Sequence, residues 1–348
     1  MYADDDVERQ IRAELSRVVD SARSRRSLSE HAERGDDDVT RRHLSELGIL
    51  EAMLPDEPGR TGGRLRHVLA AVEEAAVGLV APDLLPSALA LWTGLAASWP
   101  GITQGEILSG PTTVAWPGVL AGAESVRRAA EDGSVTGRLG YVPGGLSAQH
   151  MVLVLPDPSG AVVSLVALDK ARREPLQVLD RSRPAAVVEL PSATTRELGR
   201  LSPADLTRLR SGWLAAIAAD CLGGMRAAHD AAVGYARQRT AFGRSIGSFQ
   251  AVRHRCADMF VDVETTRAVV RGAIAAVDEG GEDAPALSLA AASHAMDAFC
   301  RVAESSILVH GALGFTYECD AHFYARRAYS NAAWLGGVNA LRAELATV

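Results

Sequence analysis

The sequence predicts three structural parts: an N-terminal all-helical domain over 1–111, a small antiparallel β-domain over 112–197, and a C-terminal four-helix bundle over 198–348. Helical spacing of apolar residues marks the first and last parts, and short β-type runs between turn residues mark the middle. The chain has 348 residues, of which 47% are hydrophobic and 23% charged. This composition is typical of a globular protein with a well-buried core.

The N-terminal part contains four predicted helices. They run over 4–33, 39–54, 64–80 and 84–98. The first carries Val7, Ile11 and Leu15 at helical spacing among dense charge, which is typical of an amphipathic surface helix. A turn at Gly62 and Gly63 precedes the third helix, and Pro100 with Gly101 closes the domain.

The middle part changes to short β-type runs. They begin near Val126, Ser134, Met151, Ala161 and Ala186. Turn signals separate them, such as Asp132-Gly133 and the segment 156–160. Short antiparallel strands suit either a small barrel or a sandwich.

The C-terminal part begins at a helix-capping sequence, Ser202 to Asp205. Serine caps the helix, proline occupies its first turn, and aspartate is favoured at its N-terminus. The predicted helices run from there to Arg237, over 248–279, over 284–310, and from Asp320 to the end. Four long helices of alternating direction predict a bundle.

An arginine cluster surrounds the join between the first two bundle helices. It consists of Arg237, Arg239, Arg244, Arg253 and Arg255. The turn from Arg239 to Gly243 can offer a guanidinium fork to a pyrophosphate and the Phe242 ring to a cofactor. The alternative is that these side chains meet only solvent or a helix C-terminus. The net charge of −7 argues against a nucleic-acid scaffold.

Compartment and metal content follow from the cysteines and the apolar runs. Cys221, Cys256, Cys300 and Cys319 lie in apolar helical patterns without metal-ligand spacing. We therefore expect reduced thiols, a cytoplasmic protein and no metal site. The acidic start of the chain does not predict a signal peptide. Charged residues and prolines interrupt the most apolar region, 68–99, so no membrane span is expected.

Two ordered motif blocks resemble the acyl-CoA dehydrogenase family. The first is R-x-x-F-G followed by F-Q, from Arg239 to Gln250, and the second is the glycine-rich turn from His310 to Glu318. A passage over 44–57 is similar to the family's N-terminal region. The resemblance is closest to the short subunits of actinobacterial mixed-subunit acyl-CoA dehydrogenases, which act on steroid side chains or similar bulky acyl-CoAs.

The resemblance implies the acyl-CoA dehydrogenase fold, with FAD bound between the β-domain and the bundle and electron-transfer flavoprotein as the acceptor. A carboxylate removes the α-proton of an acyl thioester, and the β-hydride moves to the flavin. By the same resemblance, Arg239 contacts the FAD pyrophosphate, Phe242 lies beside it, and Gln250 lies near the ribose. Gly311 and Gly314 lie near the adenine. In the family the Arg239 set reaches the FAD of the neighbouring subunit.

The sequence departs from the family at the flavin ring and at the base. Tyr141 stands where the family has tryptophan, and Pro143 replaces the residue whose hydroxyl bonds the flavin. Leu335 stands at the commonest position of the base, and Trp213 at the alternative position on the long helix. Leu308 replaces the glutamine before the glycine-rich turn.

Asp220 is the remaining candidate base. It lies on the apolar face of the long helix, two turns from Trp213, because the two are seven residues apart. A desolvated aspartate has a raised pKa, which suits a base near neutrality. The alternative is that Asp220 bonds a neighbouring helix or an arginine across the bundle. We also expect Arg326 and Arg327 to anchor the last helix to nearby acids.

Three hypotheses of function remain open at this point. In the first, the chain is an acyl-CoA dehydrogenase-like subunit, and a partner subunit supplies the flavin platform and the base. In the second, it is a self-sufficient homo-oligomeric flavoenzyme with Asp220 as base, acting on an acyl-CoA or a carrier-bound acyl group. In the third, it is a catalytically inactive scaffold whose arginine turn is filled by ion pairs.

Overall fold

The computed structural model describes residues 2–34, 40, 43–44, 46–51, 64–97, 112–115, 123–129 and 133–348. Several predicted features lie outside these residues. They are the turn at Gly62 and Gly63, the boundary at Pro100 and Gly101, and parts of the helix over 39–54. Residues 40, 43–44 and 46 of that helix are helical, but 47–50 form a turn with φ of 59° at Gly48, so the prediction that the helix continues to 54 is wrong. The elements given below are those whose bounds fall within the described residues.

The N-terminal part contains four helices in the described ranges: α1 (Tyr2–Arg25), α2 (Leu28–Arg34), α3 (Leu65–Gly78) and α4 (Leu84–Ala96). The prediction of one helix over 4–33 is wrong, because the helix is interrupted at Ser27. The Ser27 hydroxyl accepts from the Glu30 N–H at 3.3 Å, and the Glu30 carboxylate accepts from the Ser27 N–H at 2.9 Å. This reciprocal cap starts a new helix.

The middle part forms two four-stranded sheets. Its strands are β1 (Thr112–Ala115), β2 (Ala123–Arg128), β3 (Val135–Pro143), β4 (His150–Asp157), β5 (Gly160–Ala167), β6 (Arg172–Pro175), β7 (Ala185–Ala193) and β8 (Thr195–Leu201). The strand orders are β1-β4-β5-β8 and β2-β3-β7-β6. Pairing is antiparallel as predicted, except that β1 pairs with β4 in parallel, with Val114 opposite Val152.

The two sheets pack face to face, which makes the β-domain a sandwich. On β4, Met151 and Leu153 point into the sandwich core, while Val152 and Val154 point into the helical core. The first sheet is therefore buried on both faces. This explains why its central strand is a continuous apolar run rather than an alternating one.

The C-terminal part is a bundle of α5 (Pro203–Gln238), α6 (Gln250–Glu279), α7 (Ala284–His310), α8 (Ala321–Ala332) and α9 (Val338–Leu345). The predicted cap is present, since Ser202 and Asp205 bond each other's backbone N–H groups. The predicted fourth helix is interrupted. Leu335, Gly336 and Gly337 have φ of 55°, 91° and 83°, which a continuing helix cannot accommodate.

Ion pairs attach α1 to the rest of the helical core. Arg12 bonds Glu73 at 2.8 Å and Glu74 at 3.0 Å, and Arg226 of α5 bonds the same two carboxylates at 2.6 and 2.9 Å. Both glutamates are buried. Within the described ranges, no helix is both long enough and apolar enough to cross a membrane.

Candidate functional site

The arginine turn is a tight hairpin between α5 and α6. Two-residue strands, β9 (Thr240–Ala241) and β10 (Arg244–Ser245), pair antiparallel around Phe242 and Gly243. Both tip residues have positive φ, 52° and 76°, as a two-residue hairpin of mirror-image turn type requires. The N–H of Ile246 donates to the carbonyl of Arg239 at 2.8 Å and closes the turn.

Phe242 is held in a costly position. A bulky side chain is rare at positive φ, and Phe242 is also 95% exposed. Its ring contacts only Phe249, edge to face, with the ring centroids 6.2 Å apart. The Arg244 guanidinium lies over the Phe249 ring, 4.2 Å from its centroid. Folding alone gains nothing from a strained backbone that presents an aromatic ring to solvent.

The polar side chains of the turn also point outward. Arg239 and Gln250 are exposed. Among the described residues, no ion pair or side-chain hydrogen bond engages the Arg239 guanidinium. The ion pairs that the scaffold hypothesis expects in this turn are thus not formed by the described part of the chain.

The glycine-rich turn lies at the same end of the bundle. The His310 ring, which ends α7, stacks at 4.6 Å on the Tyr235 ring of α5. Gly311 follows with φ 63° and open space around it. Gly314 is buried, and a Cβ there would lie 2.9 Å from the Ile307 carbonyl, so only glycine fits. The two motif blocks are brought together by this helix-end contact.

Exposed apolar side chains surround these two turns. Besides Phe242, they are Leu308 (59% exposed), Phe315 (71%) and Tyr317 (56%). We call Phe242, Leu308, Phe315 and Tyr317, with Arg239 and Gln250, the motif end. Several large apolar side chains exposed around polar ones are typical of a surface that another protein or a ligand covers.

Asp220 lies elsewhere. It precedes Arg239 by nineteen residues on α5, which corresponds to about 28 Å along a helix axis. The structure thus groups Arg239, Phe242, Gln250, Gly311 and Gly314 at one end of the bundle and leaves Asp220 in its middle.

Asp220 is fully engaged by other side chains. Arg183 donates to its Oδ1 at 2.5 Å, and Arg327 donates to the same oxygen at 3.1 Å. Asn331 donates to Oδ2 at 2.7 Å. All of these groups are buried. The expected anchoring of the last helix to nearby acids is correct for Arg327. Arg326 instead lies over the rings of Tyr317 and Phe323.

A second carboxylate completes the buried cluster. Arg327 donates through Nε to Asp180 and through Nη2 to the Ser182 hydroxyl, the latter at 2.9 Å. Arg183 donates through Nη1 to Asn331 Oδ1 at 2.9 Å. The six residues are Asp180, Ser182, Arg183, Asp220, Arg327 and Asn331, which we call the junction cluster. Its two arginines and two aspartates balance in charge, as buried ions require.

The pKa of Asp220 reflects these contacts. Burial by itself would raise it, but the positive charges of Arg183 and Arg327 outweigh burial and hold the pKa below the ordinary value. A general base for α-proton removal works best with a pKa near neutrality. The geometry therefore favours the ion-pair alternative for Asp220 over the base.

The junction between the β-domain and the bundle is closed by the same cluster. The Arg183 guanidinium covers the Trp334 ring at 5.2 Å, and Trp334 Nε1 donates to the Tyr141 hydroxyl at 3.2 Å. Burial raises the pKa of Tyr141. A separate cavity of about 10 Å³ lies between this cluster and helices α3 and α4, and it has room for about one water molecule. Between the β-domain and the bundle, the side chains of Arg183, Trp334 and Tyr141 are in contact.

The family's base positions offer no proton acceptor here. Leu335 is buried in the interrupted segment before α9. Trp213 is buried on α5, and its Nε1 donates to Thr93 at 3.3 Å. No group of three possible metal ligands occurs among the described residues, and none of the four cysteines forms a disulfide.

Sequence reasoning found Asp220 and Arg327 but missed Asp180, Ser182, Arg183 and Asn331. The first three lie between β6 and β7, in a polar segment that looks like an exposed loop. Nothing in the local pattern marks them as buried. The proline after Arg183 is the one local signal of a fixed backbone.

The fold and the motif end define a class, that of the acyl-CoA dehydrogenases. Residues 215–347 match the acyl-CoA dehydrogenase C-terminal domain family. The chain is similar to acyl-CoA dehydrogenase FadE34 of Mycobacterium tuberculosis, with 34% identity over 302 residues that cover 84% of this chain and 40% of FadE34. It thus spans well under half the length of that relative.

A second relative matches over most of its own length. IpdE2, an acyl-CoA dehydrogenase of Mycolicibacterium smegmatis, is 29% identical over 301 residues, which cover 86% of this chain and 84% of IpdE2. Among solved structures, the ChsE4–ChsE5 complex of Mycobacterium tuberculosis superposes with a TM-score of 0.85 at 23% identity, covering 98% of this chain and 96% of that one. The chain belongs to the acyl-CoA dehydrogenase family, as the motif blocks predicted.

Proposed function

We propose that the chain is one subunit of a FAD-dependent acyl-CoA dehydrogenase-type oxidoreductase. The enzyme would dehydrogenate the α,β-carbons of an acyl-CoA, or of a carrier-bound acyl thioester. A second acyl-CoA dehydrogenase-like subunit would supply the flavin platform and the base. The observation that carries the proposal is the outward display of Arg239 and Phe242 on a chain whose own candidate base, Asp220, is bonded by Arg183, Arg327 and Asn331.

The motif end has the groups that a neighbouring subunit's FAD needs. The Arg239 guanidinium can donate two parallel hydrogen bonds to the pyrophosphate, and it carries no competing ion pair among the described residues. The Phe242 ring can cover the adenosine side, and Gln250 can bond the ribose. The open space at Gly311 lets the planar adenine ring approach the backbone closely. FAD, when bound, supplies the hydride acceptor.

The two candidate positions for the catalytic base in this chain explain why we assign the base to the partner subunit. Leu335 has no titratable group, and the Asp220 carboxylate is bonded by Arg183, Arg327 and Asn331. The proposal also draws on the relatives: the ChsE4–ChsE5 structure is a complex of two named subunits. Bulky acyl-CoAs, such as those with steroid side chains, are the proposed substrates. Electron-transfer flavoprotein is the proposed acceptor, and the cytoplasm the proposed compartment.

Two alternatives are kept as outcomes of the test. A self-sufficient homo-oligomer would need Asp220 as base and room for a flavin in its own junction. A scaffold would need neither a flavin nor a thioester. The packing around Asp220 speaks against the first, and the strained, exposed Phe242 speaks against the second.

The experiment is purification of the chain alone and after co-expression with a longer acyl-CoA dehydrogenase-like subunit. We expect a colourless chain alone and a yellow complex whose flavin absorbance bleaches with acyl-CoA. Arg239→Ala should lower the flavin retained by the complex at least tenfold. Arg237→Ala, an exposed arginine two residues earlier, is the matched control and should retain it.

A yellow chain that bleaches by itself would overturn the partner requirement and favour the homo-oligomer. If no partner restores colour, the scaffold becomes the better explanation. If Arg237→Ala lowers flavin retention as much as Arg239→Ala, the turn acts only through its general positive charge.

A further inference from the structure

The loop between β6 and β7 has an unusual exposure pattern. Leu179 and Arg181 are exposed, whereas Asp180, Ser182 and Arg183 are buried. Connecting loops run over the surface and are solvated in most proteins. Here three polar or charged side chains within four residues point inward, so this loop does more than link two strands.

The inward side chains cross from the β-domain into the bundle. Asp180 and Ser182 bond Arg327 of α8. Arg183 bonds Asp220 of α5 and Asn331 of α8. One short loop thus contacts two bundle helices through four hydrogen bonds, all between buried side chains.

Hydrogen bonds within the loop orient Asp180 towards the bundle. The N–H and hydroxyl of Ser182 donate to the same Asp180 oxygen, at 3.0 and 2.5 Å. Asp180 then presents its other oxygen to Arg327. Because the loop's own bonds fix the orientation of Asp180, little conformational entropy remains to be lost when it docks.

We propose that the loop 176–184 is an ionic latch that fixes the β-domain to the bundle, with Arg183 as the side chain that bonds both α5 and α8. The latch holds the two parts together without a cofactor. The latch rests on contacts within this chain and not on the proposed partner subunit. The latch proposal and the proposed function can therefore fail independently of each other.

The charges explain why Arg183 is the critical residue. With Arg183 in place, two buried cations face two buried anions. Without it, Asp220 loses its 2.5 Å contact and must share Arg327 with Asp180. The removal of one partner from a buried ion pair is strongly destabilising, whereas an exposed arginine contributes little.

The test compares Arg183→Ala with Arg181→Ala, an exposed arginine in the same loop, in the full chain purified alone. We expect the thermal unfolding midpoint of Arg183→Ala to fall by about 6–10 °C, and that of Arg181→Ala to stay within about 1 °C. Trypsin cleavage after Arg181 should be at least tenfold faster in Arg183→Ala than in the unaltered chain, because the unlatched loop opens. Equal midpoints for the two variants would overturn the latch.

Two further measurements separate a latch from a general loss of stability. Guanidinium ion at low millimolar concentration should restore the midpoint and the protease resistance of Arg183→Ala, because it fits the space left by the side chain. It should have no such effect on the unaltered chain. FAD added to the unaltered chain should leave its unfolding midpoint unchanged. A rise with one bound flavin per chain would overturn the proposal that the latch holds the two parts together without a cofactor.

If Arg183→Ala does not fold, Arg183→Lys is the deciding variant. Lysine keeps the charge but cannot bond Asp220 and Asn331 together through a planar fork. The midpoint should fall, by less than in Arg183→Ala. A midpoint equal to that of the unaltered chain would show that the fork does not matter and would overturn the proposal.

Discussion

Arg183 and Asp220 bond each other at 2.5 Å across the junction between the β-domain and the bundle. The pair changes the chemistry that Asp220 can perform. A lone buried aspartate would bind a proton readily, but one that faces two guanidinium groups releases it. The side chain that looks most like a base in the sequence is therefore held in its ionised form at its own site.

The first prediction concerns the role of Asp220. Asp220→Asn should lower the free energy of unfolding at pH 7 by about 3–5 kcal/mol, because it leaves two buried arginines with a single aspartate. Urea unfolding measures this. Asp169→Asn, at an exposed aspartate, should change stability by less than about 0.5 kcal/mol.

The pH dependence of the same variant distinguishes the two roles. The folded pKa of Asp220 lies below its unfolded value, so the stability that its carboxylate contributes is present above about pH 4. It is lost as pH falls through the folded pKa. The gap between the unaltered chain and Asp220→Asn should thus be constant from pH 7 to 5 and shrink below. Full stability of the variant at pH 7 would instead support the base.

The sequence predicted the parts of this site that depend on helical periodicity and missed those that depend on distant contacts. Asp220 was recognisable because it lies on an apolar face of α5. Arg183 was not, because the contact joins a loop to a helix thirty-seven residues later. The parallel pairing of β1 with β4 is non-local in the same way. Local spacing carries no information about such pairs.

The interruption of the last predicted helix before α9 had a local signal in the sequence, but the apolar spacing around it favoured a continuous helix. Gly336 and Gly337 are visible in the sequence, and both adopt positive φ. The helical pattern on either side suggested one continuous helix. Glycine reaches positive φ without steric cost, so this pair permits the interruption. Gly223 and Gly224 are also adjacent but lie within the continuous α5, so a glycine pair alone does not decide where a helix ends.

The second prediction concerns the strain at Phe242. Phe242→Asn places Asn-Gly at the tip of the hairpin, the pair that tolerates positive φ best. The unfolding free energy of the chain alone should rise by about 1 kcal/mol, because no packing is lost and backbone strain is relieved. Flavin retained by the co-expressed complex should fall at least tenfold.

The control for this variant is Phe242→Leu. Leucine keeps an apolar side chain at the same dihedral angles, so stability should not rise. If Phe242→Asn left flavin retention unchanged, the exposed ring would have no part in binding and the motif end would lose its main support.

The third prediction concerns the attachment of α1. Arg12→Leu should lower the unfolding free energy by about 2 kcal/mol, since Glu73 and Glu74 are buried and would share Arg226 alone. The pKa of Arg12 lies above its ordinary value, because Glu73 and Glu8 outweigh the effect of burial. Arg17→Leu removes an exposed pair with Glu14 on the same helix and should cost less than about 0.5 kcal/mol. Similar losses for both variants would mean that α1 is held by its apolar face alone.

The fourth prediction uses two glycines of α5 with opposite surroundings. A Cβ at Gly223 would lie 2.0 Å from the Glu73 carbonyl of α3, and neither backbone can yield without separating the two helices. Gly223→Ala should therefore lower the unfolding free energy by about 2–3 kcal/mol through overpacking.

Gly234 is the matched control, because a Cβ added there would have no atom within 4 Å. Gly234→Ala should raise stability by about 1 kcal/mol, because alanine favours the helix more than glycine does. Circular dichroism during urea unfolding measures both variants under identical conditions. Both variants make the same chemical change on the same helix. Changes in unfolding free energy of opposite sign would therefore isolate the contact between α3 and α5. Changes of the same sign would mean that this close packing does not exist in solution.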